Sequence, residues 1–216
     1  VNDPWGAFVV RVAERRFGDA FPMLAAEDPL LDRPGAAAVR RRNVAHYLAE
    51  RTAAPPVLLV GEAMGWAGGR FSGIAFTAER TLMRWGPPYE PSSLRPEGYA
   101  EQSGSIVHGL LETLGAEHRA LLWNVVPAHP HRPGAPLTNR LPREHERRAG
   151  GEVLAELVAL VAPLALIPVG RTAERTLAEL GVAAEPAVRH PANAGAARFR
   201  IECAAAFDRL GLTTPP

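Results

Sequence analysis

Three short, almost wholly apolar runs constrain this chain more than any other feature. Val57-Leu58-Leu59-Val60 is ended by Gly61. Leu121-Leu122-Trp123-Asn124-Val125-Val126 stops at Pro127, and Leu164-Ala165-Leu166-Ile167-Pro168-Val169 stops at Gly170. Continuous runs of this length fit strands buried on both faces, as in a parallel sheet. A weaker fourth candidate, Ala187-Val188-Arg189, ends at His190-Pro191. Helical spacing fills the intervals, over residues 77–83, 102–114, 143–161 and 172–180, with a last helix over 196–210. Strand and helix in alternation predict an α/β fold, a three-layer α/β/α sandwich around a central, mostly parallel four-stranded sheet.

Ahead of the first run the pattern is helical. Residues 4–17 and 35–52 carry apolar positions at helical spacing, and Pro22, Pro29 and Pro34 break the chain between them. Residues 1–54 therefore read as a helical N-terminal extension packed on a single α/β domain that spans 1–216. The triplet Arg40-Arg41-Arg42 reads as a solvated helix face.

Composition removes several chemistries. Cys203 is the one cysteine, so an internal disulfide, a multi-cysteine zinc site and a four-thiolate iron–sulfur cluster are excluded. The chain has no lysine, and all 24 of its Lys+Arg residues are arginine. That excludes a lysine imine and a Walker-type phosphate loop, while leaving many guanidinium groups suited to phosphate. No stretch is long and apolar enough to read as a membrane span, and the first ten residues lack a leader pattern. A cytoplasmic monomer without metal or organic cofactor is expected.

Ligands of parallel sheets bind beyond the carboxyl ends of the strands, and each run here ends in a distinctive tail. Gly61-Glu62-Ala63-Met64-Gly65 opens a glycine-rich loop that reaches Arg70-Phe71-Ser72-Gly73. Phe71 can stack on a flat heterocycle or plug the core. Asn124 must be satisfied by protein, water or ligand where it is buried, and its amide can tie two loops together or read the edge of a base. His190 can be an ordinary loop histidine or a donor into a site. Glu62 can cap the following turn or orient a water.

Taken in order, these tails resemble the uracil-DNA glycosylase superfamily over about residues 57–199. Gly61-Glu62-Ala63-Met64-Gly65 looks like the Gly-Glu-Ala-Pro-Gly loop of its iron–sulfur branch, although the cluster cysteines are missing and Met64 stands in place of proline. The resemblance implies that Gly61, Ala63, Met64 and Gly65 line a base pocket and that Phe71 stacks on the base. It implies further that Asn124 reads the base edge and His190 faces uracil O2. It also marks two departures. Ala63 stands where several branches have an Asp or Asn that positions water, and Gly65 where the best-known branch has a tyrosine that rejects thymine.

Hydrolysis of an N-glycosidic bond in DNA requires the nucleotide to be extruded first. His190 would stabilise charge on the departing base, Asn124 would hold its edge, and Glu62 would orient water or a backbone amide. Without lysine the enzyme would be monofunctional. The loop Ala192-Asn193-Ala194-Gly195-Ala196-Ala197 would enter the DNA, with Arg189, Arg198 and Arg200 on phosphate beside it and Arg132 and Arg140 along the groove. Because that loop offers only small side chains, single-stranded or mismatched DNA carrying uracil or another deaminated base is the expected partner. Two rivals remain open at this point. One is a non-catalytic nucleobase- or DNA-binding protein of the same fold; the other is a metal-dependent hydrolase built on His129, His131 and His145.

Overall fold

A computed structural model describes residues 3–212. The ends of the expected 1–216 domain, residues 1–2 and 213–216, lie outside the described residues. The sheet is formed by β1 (Val57–Ala63), β2 (Ala120–Val126) and β3 (Ala165–Pro168), all parallel, in the order β2-β1-β3. Every residue of β2 is buried. Since alternate side chains of a strand point to opposite faces, both faces of the sheet are covered. The register places Gly61 of β1 opposite Asn124 of β2, so two tails from distant parts of the sequence leave the sheet side by side.

The expected fourth strand is a correction. Residues 187–189 reach the sheet beside β3 but make a single parallel bridge, Val169 to Val188. Two backbone bonds hold it, Gly170 N–H to the Val188 carbonyl and Val188 N–H to the Pro168 carbonyl, each 2.9 Å. Pro186 and Pro191 flank the segment, and proline has no N–H to extend a ladder. The sheet therefore has three strands, with His190 delivered to its edge by a bridge.

Helices fill the remainder: α1 (Pro4–Glu14), α2 (Ala36–Arg51), the short α3 (Gly69–Ser72) and α4 (Glu79–Trp85), α5 (Gln102–Thr113), α6 (Glu144–Val161), α7 (Arg171–Glu179) and α8 (Ala196–Arg209). Helices α2, α6 and α7 contact the strands. Among the described residues no helix is long and apolar enough to cross a membrane.

The N-terminal helices are built into the body of the protein. Phe8 of α1 packs on Trp123 of β2, with ring centroids 5.9 Å apart. From α2, the Tyr47 hydroxyl accepts the Leu122 N–H at 2.9 Å and so covers an edge donor of the sheet. Arg40 departs from the solvated face expected of it and is fully buried. Its guanidinium donates to the carbonyls of Met23 and Ala26 and to the Ser92 hydroxyl, and it pairs with Asp32 at 3.2 Å. A buried charge is tolerated where pairing and hydrogen bonds are this complete. Asp32 also takes both terminal nitrogens of Arg70, at 3.0 and 3.1 Å. This carboxylate thereby ties the N-terminal segment to the loop that follows β1.

Candidate active site

Beyond the carboxyl ends of the strands lies a cavity of roughly 1000 Å³. Glu62, Ala63, Met64 and Gly65 line it from the end of β1, Asn124 from β2, and Gly170 and His190 from the β3 edge. Arg140, Arg189, Asn193 and Arg198 also reach its wall. The strand tails that the sequence singled out therefore share one space.

Asn124 is buried, and the single side-chain bond it makes among the described residues is from Nδ2 to the Met64 sulfur at 3.3 Å. A thioether is a weak acceptor, so most of the amide's hydrogen-bonding capacity is left for a guest. Gly61 makes this possible. A Cβ there would collide with both Asn124 Oδ1 and the Phe76 ring, so the bare backbone lets the two side chains meet over it.

His190 accepts the Ala192 N–H on Nδ1 at 3.1 Å. With Nδ1 acting as acceptor, the ring's proton sits on Nε2. Burial, and secondarily the charge of Arg189, moves the imidazole below its ordinary pKa, which favours a neutral ring with one N–H to donate. The loop that fixes it is tight: Asn193 and Ala194 both have positive φ, 53° and 59°. Such conformations are uncommon for residues other than glycine and tend to gather at functional sites.

Phe71 is the principal correction. It is fully buried and does not reach the cavity. Its ring stacks on Tyr99 at 4.2 Å with a 6° interplanar angle, and the Arg70 guanidinium covers it at 4.5 Å. Phe21 closes the other side of Arg70, 4.1 Å from its ring centroid. This is a structural stack. The aromatic that lines the cavity is Phe76, five residues later, held at φ 52° with its ring 5.8 Å from that of His190 and beside Asn124. Phe71 and Phe76 both lie in the glycine-rich stretch. Gly73, which separates them at φ 84°, is the one sequence signal that the chain turns between them.

Glu62 lines the cavity with Oε2 accepting the Thr172 hydroxyl. Glu101, which the sequence reading passed over, also faces it; its Oε2 is buried without a hydrogen-bond partner, and burial pushes its carboxyl up to about 7.

The residues expected to meet DNA divide into two groups. Arg189, Asn193, Ala194 and Arg198 are exposed, and the Arg198 guanidinium donates to Glu202 at 2.6 Å. Arg132 is exposed but lies off the cavity. Arg140 is committed elsewhere, with two bonds to Glu146 and one each to the carbonyls of His131 and Leu141, and serves as a brace for its loop. Gly195 is buried against the His190 carbonyl, where a side chain would collide, and shapes the loop. Leu141, 74% exposed, is the large apolar side chain that the rim presents.

Of the histidines of the rival metal site, His129 and His131 stack with ring centroids 5.5 Å apart. His129 is buried with its ring nitrogens 2.8 and 3.0 Å from the carbonyls of Met64 and Pro136, which ties the Met64 loop to the 132–137 turn. Among the described residues no group of three or more His, Cys, Asp and Glu is placed to hold a metal ion.

Comparison with known proteins gives the family and a similar fold. A family model described as the uracil DNA glycosylase superfamily matches residues 50–209. The crystal structure of Pedobacter heparinus SMUG2 is similar at a TM-score of 0.62 and 13% sequence identity, covering 96% of this chain and 98% of that one. At that identity the likeness concerns the fold. No curated protein matches the chain.

Proposed function

The chain belongs to the uracil DNA glycosylase superfamily, and from that premise we propose that it is a monofunctional DNA glycosylase that releases uracil from DNA, with hypoxanthine and xanthine as further substrates. Members of the superfamily are glycosylase hydrolases that act on DNA. The observation that carries the finer reading is the convergence of Phe76, Asn124 and His190 on one cavity. A planar base extruded from the strand stacks on Phe76, and its imide edge pairs with the Asn124 amide, which can both donate and accept.

The chemistry follows from where charge develops. Water adds to the sugar's anomeric carbon, the bond from that carbon to the base nitrogen breaks, and its electron pair leaves with the base. Negative charge gathers on the base oxygens. His190, neutral with its proton on Nε2, donates to that oxyanion; a preorganised donor of this kind is worth about a hundredfold or more in rate. Glu62, fixed on one oxygen by Thr172, has Oε1 free to orient the water and take up its proton. The products are the free base and an intact abasic site, since the chain has no lysine to form an imine and nick the strand.

Labelled oligonucleotides carrying uracil, hypoxanthine, xanthine or a thymine mismatch, single- and double-stranded, test this through alkali cleavage of the abasic product. Uracil strands are expected to be cleaved, and His190→Ala to lose about two orders of magnitude. Absence of product on every substrate would leave a non-catalytic base-binding protein as the better account.

A further inference from the structure

The chain has four tryptophans, and one of them is placed unlike the rest. Trp123 lies in the core, and Trp5 and Trp85 pack against it. Among the described residues Trp66 belongs to neither group. It directly follows Gly65 of the cavity wall and is half-buried. An apolar side chain left partly in water means little by itself, but the surroundings of this one fix it in place.

The Trp66 backbone N–H donates to Asn139 Oδ1 at 3.0 Å, and Asn139 itself lines the cavity. The indole meets the Tyr99 ring edge-on, with centroids 5.9 Å apart and planes at 80°. Tyr99 is immobilised in turn: Phe71 stacks on it at 4.2 Å, and the Arg95 guanidinium lies over it at 5.2 Å. Among the described residues no ring is stacked face to face on Trp66. A ring braced in this way loses little further freedom when a flat partner settles on it. The segment that carries Asn139 also carries Arg132, whose backbone N–H donates to Thr138 Oγ1 at 3.1 Å. Arg140 beside them is held by Glu146, whereas Arg132 is exposed and has no carboxylate partner among the described residues.

We propose that Trp66 is a stacking platform for the unpaired base next to the extruded nucleotide in single-stranded DNA, with Arg132 beside it for a backbone phosphate. The proposal rests on the reading of the cavity as a DNA base pocket and adds to it a contact outside that pocket. Consecutive Cα atoms are about 3.8 Å apart, so Trp66 stands within one nucleotide's reach of the wall at Gly65. An aromatic face beside an unpaired cation is the combination that single strands select, and stacking takes any base, since every base has a π-face. In an intact duplex the neighbouring base is already stacked and paired, so the contact favours strands whose bases are free.

Two arms on the full chain test this. The first needs no turnover: tryptophan fluorescence is followed as uracil-free oligothymidylate is added. The parent should be quenched, and Trp66→Phe, which keeps a ring for stacking, should bind within about threefold of it with the quench gone. Trp66→Ala should bind about tenfold more weakly. A quench that persists in Trp66→Phe, or parental affinity in Trp66→Ala, would overturn the proposal. In the same titrations Arg132→Gln should flatten the dependence of log K on log salt by about 0.7; an unchanged slope would overturn the phosphate contact. The second arm compares kcat/KM for uracil release from single strands in which a baseless spacer replaces the nucleotide on one side of the uridine, then on the other. On one side the spacer should slow the parent about tenfold and Trp66→Ala no further, since both changes remove the same contact. Spacer losses equal in the two proteins on both sides would contradict the platform. A chain that releases no base, yet is quenched through Trp66, would overturn the glycosylase reading and support the platform.

Discussion

Asn124 Oδ1 occupies the space directly over the Cα of Gly61, where any Cβ would overlap it and the neighbouring Phe76 ring. The pair sits in register across β1 and β2, so the fold itself sets the distance. Gly61→Ala should push the ends of two side chains aside while leaving the ladder intact. The expected result is a cooperative, near-native melting transition together with uracil release reduced by roughly two orders of magnitude, since a small displacement of positioning groups is costly to rate. Near-normal release by a folded variant would count against the shared pocket.

The two phenylalanines separate structure from function. Phe71→Ala removes a fully buried ring stacked on Tyr99 and should cost about 3–5 kcal/mol in stability. Phe76→Ala should cost less stability and much more activity, by weakening the stack under the base. Urea unfolding and single-turnover kinetics on both variants check the contrast. Equal activity losses at equal stability would remove Phe76 from the site.

The same contrast shows what the sequence could and could not reveal. Apolar runs ended by Gly61, Pro127 and Gly170 placed three strands within a few residues of their observed bounds, because burial on both faces leaves a strong signature. Glu62 and Asn124 could be placed on the cavity wall for the same reason, each lying near the carboxyl end of a strand, whereas His190 follows only a bridge at the sheet edge. Phe76 was not, since its position depends on a left-handed backbone after Gly73 that no periodicity reports. Arg40 was misplaced because its carbonyl, hydroxyl and Asp32 partners come from distant parts of the chain. Glu101 had no local signal; its meaning arises from glycines at 65, 68 and 104 that make room for it.

Leu141 offers a test of how the base leaves the stack. It stands exposed on a cavity rim that also carries the small residues Ala192 and Asn193, and an apolar side chain inserted between base steps holds an extruded nucleotide out of a duplex. Leu141→Ala should leave release from single strands within about twofold and lower release from duplex severalfold, widening the single-strand preference. Equal losses on both substrates would assign Leu141 another role.

Stability should fall in mild acid with a predictable slope. Burial pushes His108 and His129 down to about 4 from 6.5, so their contribution is complete above pH 6.5 and is lost as the pH falls through that range. Burial lifts Glu101 from 4.5 to about 7, which works in the opposite sense: its contribution is present below pH 4.5 and lost as the pH rises through 7. Between pH 6 and 5, unfolding therefore takes up about two protons and releases about one. The net is about 1 kcal/mol lost per pH unit of acidification, with His190 acting in the same direction as the other two. Glu101→Gln should nearly double that slope in urea titrations. A flat profile, or a slope unchanged by the substitution, would contradict these assignments.

The most direct measurement is single-turnover release of free uracil from a single-stranded oligonucleotide, followed by mass spectrometry for the parent protein and Asn124→Ala. The parent should yield free uracil and an unbroken abasic strand. Asn124→Ala should be slower by roughly a hundredfold or more, because the base edge loses its hydrogen-bond partner. A uracil strand left untouched by the parent, or released at the same rate by both proteins, would contradict the account.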